Sequence, residues 1–120
     1  VWLWWHANDK RLGPAARRFI HAAAEVRCRA ASAWEIAIKR SIGKLTLPAG
    51  ADIEQELERD GFLALPVEIA HATGVAALPA LHRDPFDRLL VAQAIAEGLA
   101  LVTADPALTR YGVPVVDATA

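Results

Sequence analysis

Helix-type and strand-type stretches alternate along almost the whole chain, and this alternation restricts the fold more than any other feature. Strands separated by helices join in parallel, because only a crossover of helical length returns the chain to the same end of a sheet. Gly13-Pro14 opens a helix running to about Ala24, with Pro14 suited to its first turn. Glu25 to Ala30 reads as a strand, with Val26, Cys28 and Ala30 on one face and Arg27 and Arg29 on the other. Ser32 is the expected N-cap of a helix that runs through Ile36 and Ile38 to about Ile42 and stops at Gly43. Asp52 to Asp60 is a charged helix with Ile53 and Leu57 on one face, ended by Gly61. Phe62 to Val67 reads as a strand interrupted by Pro66, hence an edge or a strand end. Glu68 to Leu78 is a further helix. Asp84 is the expected N-cap, and Pro85 the first residue, of the most apolar helix, which runs to about Glu97 and is closed by Gly98. Leu99 to Thr103 is a continuous apolar strand of the kind buried on both faces, and Val113 to Val116 a last short strand.

The expected fold is therefore α/β with a mostly parallel sheet between helices. A chain of 120 residues suits one domain with a core of its own. The apolar fraction of 54% excludes a disordered chain. No apolar run approaches the ~18–20 residues that span a bilayer, and Val1 to Trp5 lacks the basic leader of a signal peptide, so a cytoplasmic protein without a membrane partner is expected. Cys28 is alone, which rules out an intramolecular disulfide and a cysteine-based zinc site. Net charge is −1, so no global basic field draws the chain onto nucleic acid. Residues 1–60 nevertheless hold ten Lys/Arg against eight Asp/Glu, and residues 61–120 three against six, which leaves room for a local basic patch.

In an open parallel sheet, ligands bind beyond the carboxyl ends of the strands. Asp105 follows the strand ending at Thr103, and Ser32 and Glu35 follow the strand ending near Ala30. Both acids are thus expected at one sheet edge, with Asp87 in the first turn of the apolar helix. Each has a plain structural account as well: Glu35 as partner of Ser32 in a capping box, Asp87 as an acid favoured at a helix N-terminus, Asp105 as the start of a turn at Pro106. Their joint placement points to a hard divalent cation, which takes carboxylate oxygens and keeps several waters. Crowded carboxylates repel unless a cation offsets them, and such an ion suits phosphodiester chemistry. The four histidines, His6, His21, His71 and His82, show no paired ligand spacing and are expected at the surface or the edge of the core. No glycine-rich phosphate loop is present. Trp2, Trp4 and Trp5 are expected to anchor the first helix, and Cys28 to be a small buried residue.

Four segments carry a family resemblance. Ala30-Ala31-Ser32-Ala33-Trp34-Glu35-Ile36-Ala37-Ile38-Lys39, continued by Gly43-Lys44-Leu45, resembles the second acidic motif of VapC-type PIN domains. Leu81-His82-Arg83-Asp84-Pro85-Phe86-Asp87-Arg88-Leu89-Leu90 resembles the third, and Leu101-Val102-Thr103-Ala104-Asp105 the fourth. Val1-Trp2-Leu3-Trp4-Trp5 resembles the start of the family's first helix. The likeness covers nearly the whole chain in the right order.

The resemblance implies a three-layer α/β/α PIN fold and an endoribonuclease using magnesium or manganese, the toxin of a toxin–antitoxin pair. Its partners are then an RNA substrate, an antitoxin and a second copy in a homodimer. Carried over, Glu35, Asp87 and Asp105 are the catalytic and metal-binding acids. Ser32, Thr103 and Asp84 support them, and Lys39, Arg83 and Arg88 contact RNA or antitoxin. The family's first strand ends in a further acid a few residues before the segment matched by Val1 to Trp5, and Asp9 does not replace it. The expectation is thus a PIN domain over residues 1–120 that lacks its first strand and is inactive or greatly weakened as given. Two rival readings stand beside the ribonuclease: a PIN domain that only binds a partner, and a structural α/β domain whose acids are all caps.

Overall fold

A computed structural model of the chain describes residues 1–43, 52–82 and 84–120. Lys44 and Leu45 of the second motif and Arg83 of the third lie outside the described residues. The chain divides into two compact units, Ala24–Val67 and a second formed by Val1–Ala23 with Glu68–Ala120.

In the unit Ala24–Val67, strand β1 (Val26–Arg29) pairs in parallel with β2 (Phe62–Leu65), in the register Val26 to Phe62 through Arg29 to Leu65. Between them come helices α3 (Ala30–Ser41) and α4 (Ile53–Arg59). Cys28, Ala31, Ile36, Leu57, Phe62 and Leu65 are buried. Burial pushes the Cys28 thiol up, so it is kept in its neutral, unreactive form, as a small core residue would be. Strand β2 stops before Pro66, which cannot donate to a ladder. The charged helix starts as its sequence suggests, with the Asp52 carboxylate accepting from the backbone N–H of Glu54 at 2.9 Å.

Helix α3 corrects one expectation. It begins directly on the end of β1, with Arg29 in extended backbone at the cap position, so Ser32 lies inside the first turn and is not the N-cap. Ala30 and Ala31 have high helix propensity and wind the helix back to the strand end. Ser32 Oγ instead accepts from Arg29 Nε at 3.1 Å. The capping-box account of Glu35 falls with it. Trp34, Ile38 and Ile42 recur at a four-residue spacing along one face, and each is exposed.

The second unit holds α1 (Trp2–His6), α2 (Pro14–Ala22), α5 (Ile69–Gly74), α6 (Pro85–Glu97) and the parallel pair β3 (Leu101–Thr103) and β4 (Val115–Asp117). A 3₁₀ turn, Val75–Ala77, follows α5, and another, Pro106–Tyr111, links β3 towards β4. Val91, Ala94, Leu101 and Leu108 form a buried cluster, with Leu78, Leu90, Tyr111 and Val113 packed against it. Trp2 is buried too, which fits its expected anchoring role. Pro14 takes the first helical position, and the freed N–H groups of α2 find distant acceptors. Gly13 donates to the main-chain oxygen of Ala118, and Ala15 and Ala16 to that of Ala120. Gly13 is required there, because a Cβ at this position would collide with the backbone of Ala120.

Helix α6 has the expected limits. The Asp84 carboxylate accepts from the N–H of Phe86 at 2.9 Å, and Gly98 closes the helix in the left-handed conformation at φ 65°. It is less buried than its composition suggests: Val91, Ala92, Gln93 and Ala94 are buried, whereas Phe86 and Ile95 are exposed. Strand β3 starts two residues later than expected and is only half-buried beyond Leu101. The reason is local. Leu99 N–H donates back to Ala94 at 2.9 Å as part of the helix end, and so is not available to a strand. Among the described residues no helix is long and apolar enough to cross a membrane.

Candidate metal centre

Two expected positions and one unexpected one meet in the unit containing α6 and β3. Asp87 lies in the first turn of α6. Asp105 follows β3 and caps the 3₁₀ turn at Pro106, its Oδ1 accepting from Ala107 N–H at 2.9 Å. His82 comes just before the Asp84 cap and sits against both carboxylates. Its Nε2 lies 3.1 Å from Asp105 Oδ2 and 3.3 Å from Asp87 Oδ2. The potential ligand atoms of these three side chains all lie within 4.8 Å of one another, and all three residues are half-buried.

The surroundings fix these groups. Asp105 N–H donates to Thr103 Oγ1 at 3.1 Å, which holds the turn after β3. The Ala107 amide, and then the His82 ring, hold the Asp105 carboxyl below the usual carboxylate range. Asp84 N–H donates to His82 Nδ1 at 3.0 Å, so the residue that caps α6 also orients the imidazole. Thr103 and Asp84 are thus linked to Asp105 and His82 through backbone amides.

The other expected contacts have different partners. Glu35 lies in the unit Ala24–Val67, one helical turn from Lys39, with Lys39 Nζ 3.2 Å from its Oε1. Arg88, expected to face RNA or antitoxin, points one terminal nitrogen at the main-chain oxygens of Val75 and Leu78, at 3.1 and 3.4 Å. It thereby closes the end of the 3₁₀ turn after α5, a structural task.

A second cluster of one histidine and two acids, here glutamates, occupies the same unit. His71 Nε2 lies 2.9 Å from Glu97 Oε1, and Glu68 N–H donates to His71 Nδ1 at 3.0 Å. The Glu68 side chain in turn accepts from the backbone N–H of His71, closing a capping box at the start of α5.

A family model described as PIN domain matches residues 1–114. The chain belongs to the PIN-domain family. It is 34% identical over 113 residues to Ribonuclease VapC22 of Mycobacterium tuberculosis, an alignment covering 92% of this chain and 86% of that protein, which places it among the VapC-type members. No solved structure gives a significant match.

For this PIN domain the donor set fits a divalent cation. Two carboxylates face one another closely, and a hard cation needs only one or two carboxylates beside its waters. Of this cluster, sequence reasoning singled out Asp87 and Asp105 and not His82, which has no second histidine at a ligand spacing. The available signal was its place two residues before the Asp84 cap, within bonding reach of that residue's amide.

Proposed function

We propose that this protein is a magnesium- or manganese-dependent endoribonuclease, the toxin of a toxin–antitoxin pair, with Asp87, Asp105 and Glu35 as its metal-binding and catalytic acids. The observation that carries the reading is the approach of Asp87 and Asp105, from a helix start and a strand end, to a single imidazole within a chain of the PIN family. The name of the similar protein, Ribonuclease VapC22, supports the choice of RNA as substrate.

Each chain residue then has a task. Asp87 and Asp105 present carboxylate oxygens to the cation and fix its position. Thr103 and the Ala107 amide hold Asp105 at the end of β3. Asp84 sets the start of α6 and with it the direction of Asp87. When bound, the cation supplies a Lewis acid for a phosphodiester oxygen and lowers the pKa of a coordinated water. Glu35 is the acid that the second motif supplies in the family, with Ser32 as its supporting residue, and Lys39 and Arg83 contact RNA or antitoxin. The whole of residues 1–120 is read as one PIN domain, acting in the cytoplasm as a homodimer and restrained by an antitoxin. The exposed stripe of Trp34, Ile38 and Ile42 offers apolar surface for such partners.

The test is RNA cleavage by the purified protein, with any natural sequence preceding Val1 included, and by its Asp87→Asn variant. Cleavage is expected with magnesium or manganese, lost in chelator, and reduced about a hundredfold or more in the variant, the scale on which removal of one charge-stabilising group acts. Equal cleavage by both chains would sink the reading. A wild-type chain that binds its antitoxin but cuts no RNA under any metal would leave a binding module instead.

A further inference from the structure

His82 has a defined tautomer. Its Nδ1 accepts the backbone N–H of Asp84, and a peptide N–H can only donate, so Nδ1 presents a lone pair and carries no hydrogen. The ring hydrogen is therefore on Nε2. That N–H is directed at Asp105 Oδ2, 3.1 Å away, with Asp87 Oδ2 at 3.3 Å. The imidazole thus offers the two acids a donor, where a zinc-type ligand would offer a lone pair. A cation held between the same two carboxylate oxygens would compete with this N–H for them.

We propose that His82 is a positioning residue that takes the cation's place: its Nε2–H holds Asp87 and Asp105 together whenever the protein is without metal, and a divalent cation displaces this contact without gaining His82 as a ligand. The proposal rests on the reading of Asp87 and Asp105 as metal ligands. Two carboxylates left facing each other would spread apart by repulsion. A shared N–H limits this and can be released without moving the backbone, because the ring remains tethered to the Asp84 amide. The cation then meets oxygen donors, which suit magnesium or manganese, and not the imidazole nitrogen that zinc or nickel would prefer. His82 accordingly acts on which metal binds and on the order of the metal-free site.

The decisive measurement is the tautomer and its fate. Long-range proton–nitrogen NMR of histidine-labelled, chelator-treated protein, assigned by comparison with His82→Gln, should show an unprotonated Nδ1 and a protonated Nε2 for His82. Magnesium should shift the Nε2 signal while leaving its hydrogen in place. An Nδ1-protonated ring, or an Nε2 that loses its hydrogen as metal binds, overturns the proposal. In parallel, His82→Ala should unfold at a lower temperature than wild type in chelator and recover with Mn²⁺, and its Mn²⁺ affinity by electron paramagnetic resonance should be equal to wild type or up to several-fold tighter. A tenfold or greater loss of affinity would mark a ligand and overturn it. If His82→Ala does not fold, His82→Gln, which keeps a donor at a similar reach, serves for the same affinity comparison. A wild-type chain that binds no Mn²⁺ while showing the expected tautomer defeats the metal-site reading. Mn²⁺ binding with a deprotonated Nε2 defeats only the proposal for His82.

Discussion

His71 and His82 are built alike and lead to different ends. Each ring accepts a nearby backbone N–H on Nδ1, from Glu68 and from Asp84 respectively, both at 3.0 Å, and each turns Nε2 towards an acid distant in sequence. At His71 the arrangement is closed. The ring is 1% exposed, Glu97 is the acid at Nε2, and the Glu68 side chain is engaged by the capping box. At His82 two carboxylates meet one N–H, and the ring is 20% exposed. Composition alone does not separate them, since both groups bring three potential ligand atoms together. What differs is the burial of the ring and how many acids it faces. The His71 ring is buried, although both of its acids are exposed, and ties α5 to α6 through Glu97. The His82 ring and both of its acids are half-buried, with two carboxylates within reach of one Nε2. The second arrangement is where a cation is useful.

The comparison breaks most readily at His71. His71→Ala leaves a cavity and removes the tie to Glu97, so chemical denaturation should show a loss of about 2–4 kcal/mol. RNA cleavage per folded molecule should stay within about twofold of wild type, since a structural change away from the chemistry leaves the barrier unchanged. A hundredfold loss of cleavage in a folded His71→Ala protein would make the two clusters functionally equivalent. A smaller effect sharpens the other side. Thr103→Val removes the acceptor for Asp105 N–H and should cost about 1 kcal/mol by the same denaturation measurement. It should also weaken Mn²⁺ binding measurably, which no change at His71 should do. The smallest expected effect is in acid. Because the folded state holds Asp105 below its ordinary pKa, this group adds stability above the unfolded carboxyl value, and the contribution is lost as pH falls through the lower folded value. The difference in stability between wild type and Asp105→Asn, followed by urea unfolding from neutral pH downwards, should therefore shift against wild type as the solution is acidified. A difference independent of pH would remove the depressed carboxyl from the account.

Legibility in the sequence followed the range of the interactions. The limits of α6 could be read because Asp84, Pro85 and Gly98 act within one turn of themselves. The parallel pairing was readable from alternation, and the strand ends less so, since Leu99 belongs to the helix end and Pro66 truncates β2. Ser32 was misplaced because two alanines extend α3 backwards past the better capping residue. Asp87 and Asp105 stood out as acids at element ends. His82 did not, because its meaning depends on an acid 23 residues away, and contact over that distance is a product of folding. The partners of Arg88 were not legible for the same reason: they are the carbonyls of Val75 and Leu78, which no side-chain pattern reveals.

The clasp at Gly13 also sets an order of assembly during synthesis. The N–H groups of Gly13, Ala15 and Ala16 depend on Ala118 and Ala120, which leave the ribosome about a hundred residues later, roughly five to twenty seconds at ordinary elongation rates. The unit Ala24–Val67 is continuous and has all its strand partners as soon as it emerges. The unit that holds Asp87 and Asp105 needs both its early and its late segments. A nascent chain is therefore without the finished unit around its acidic centre until translation has passed Ala120.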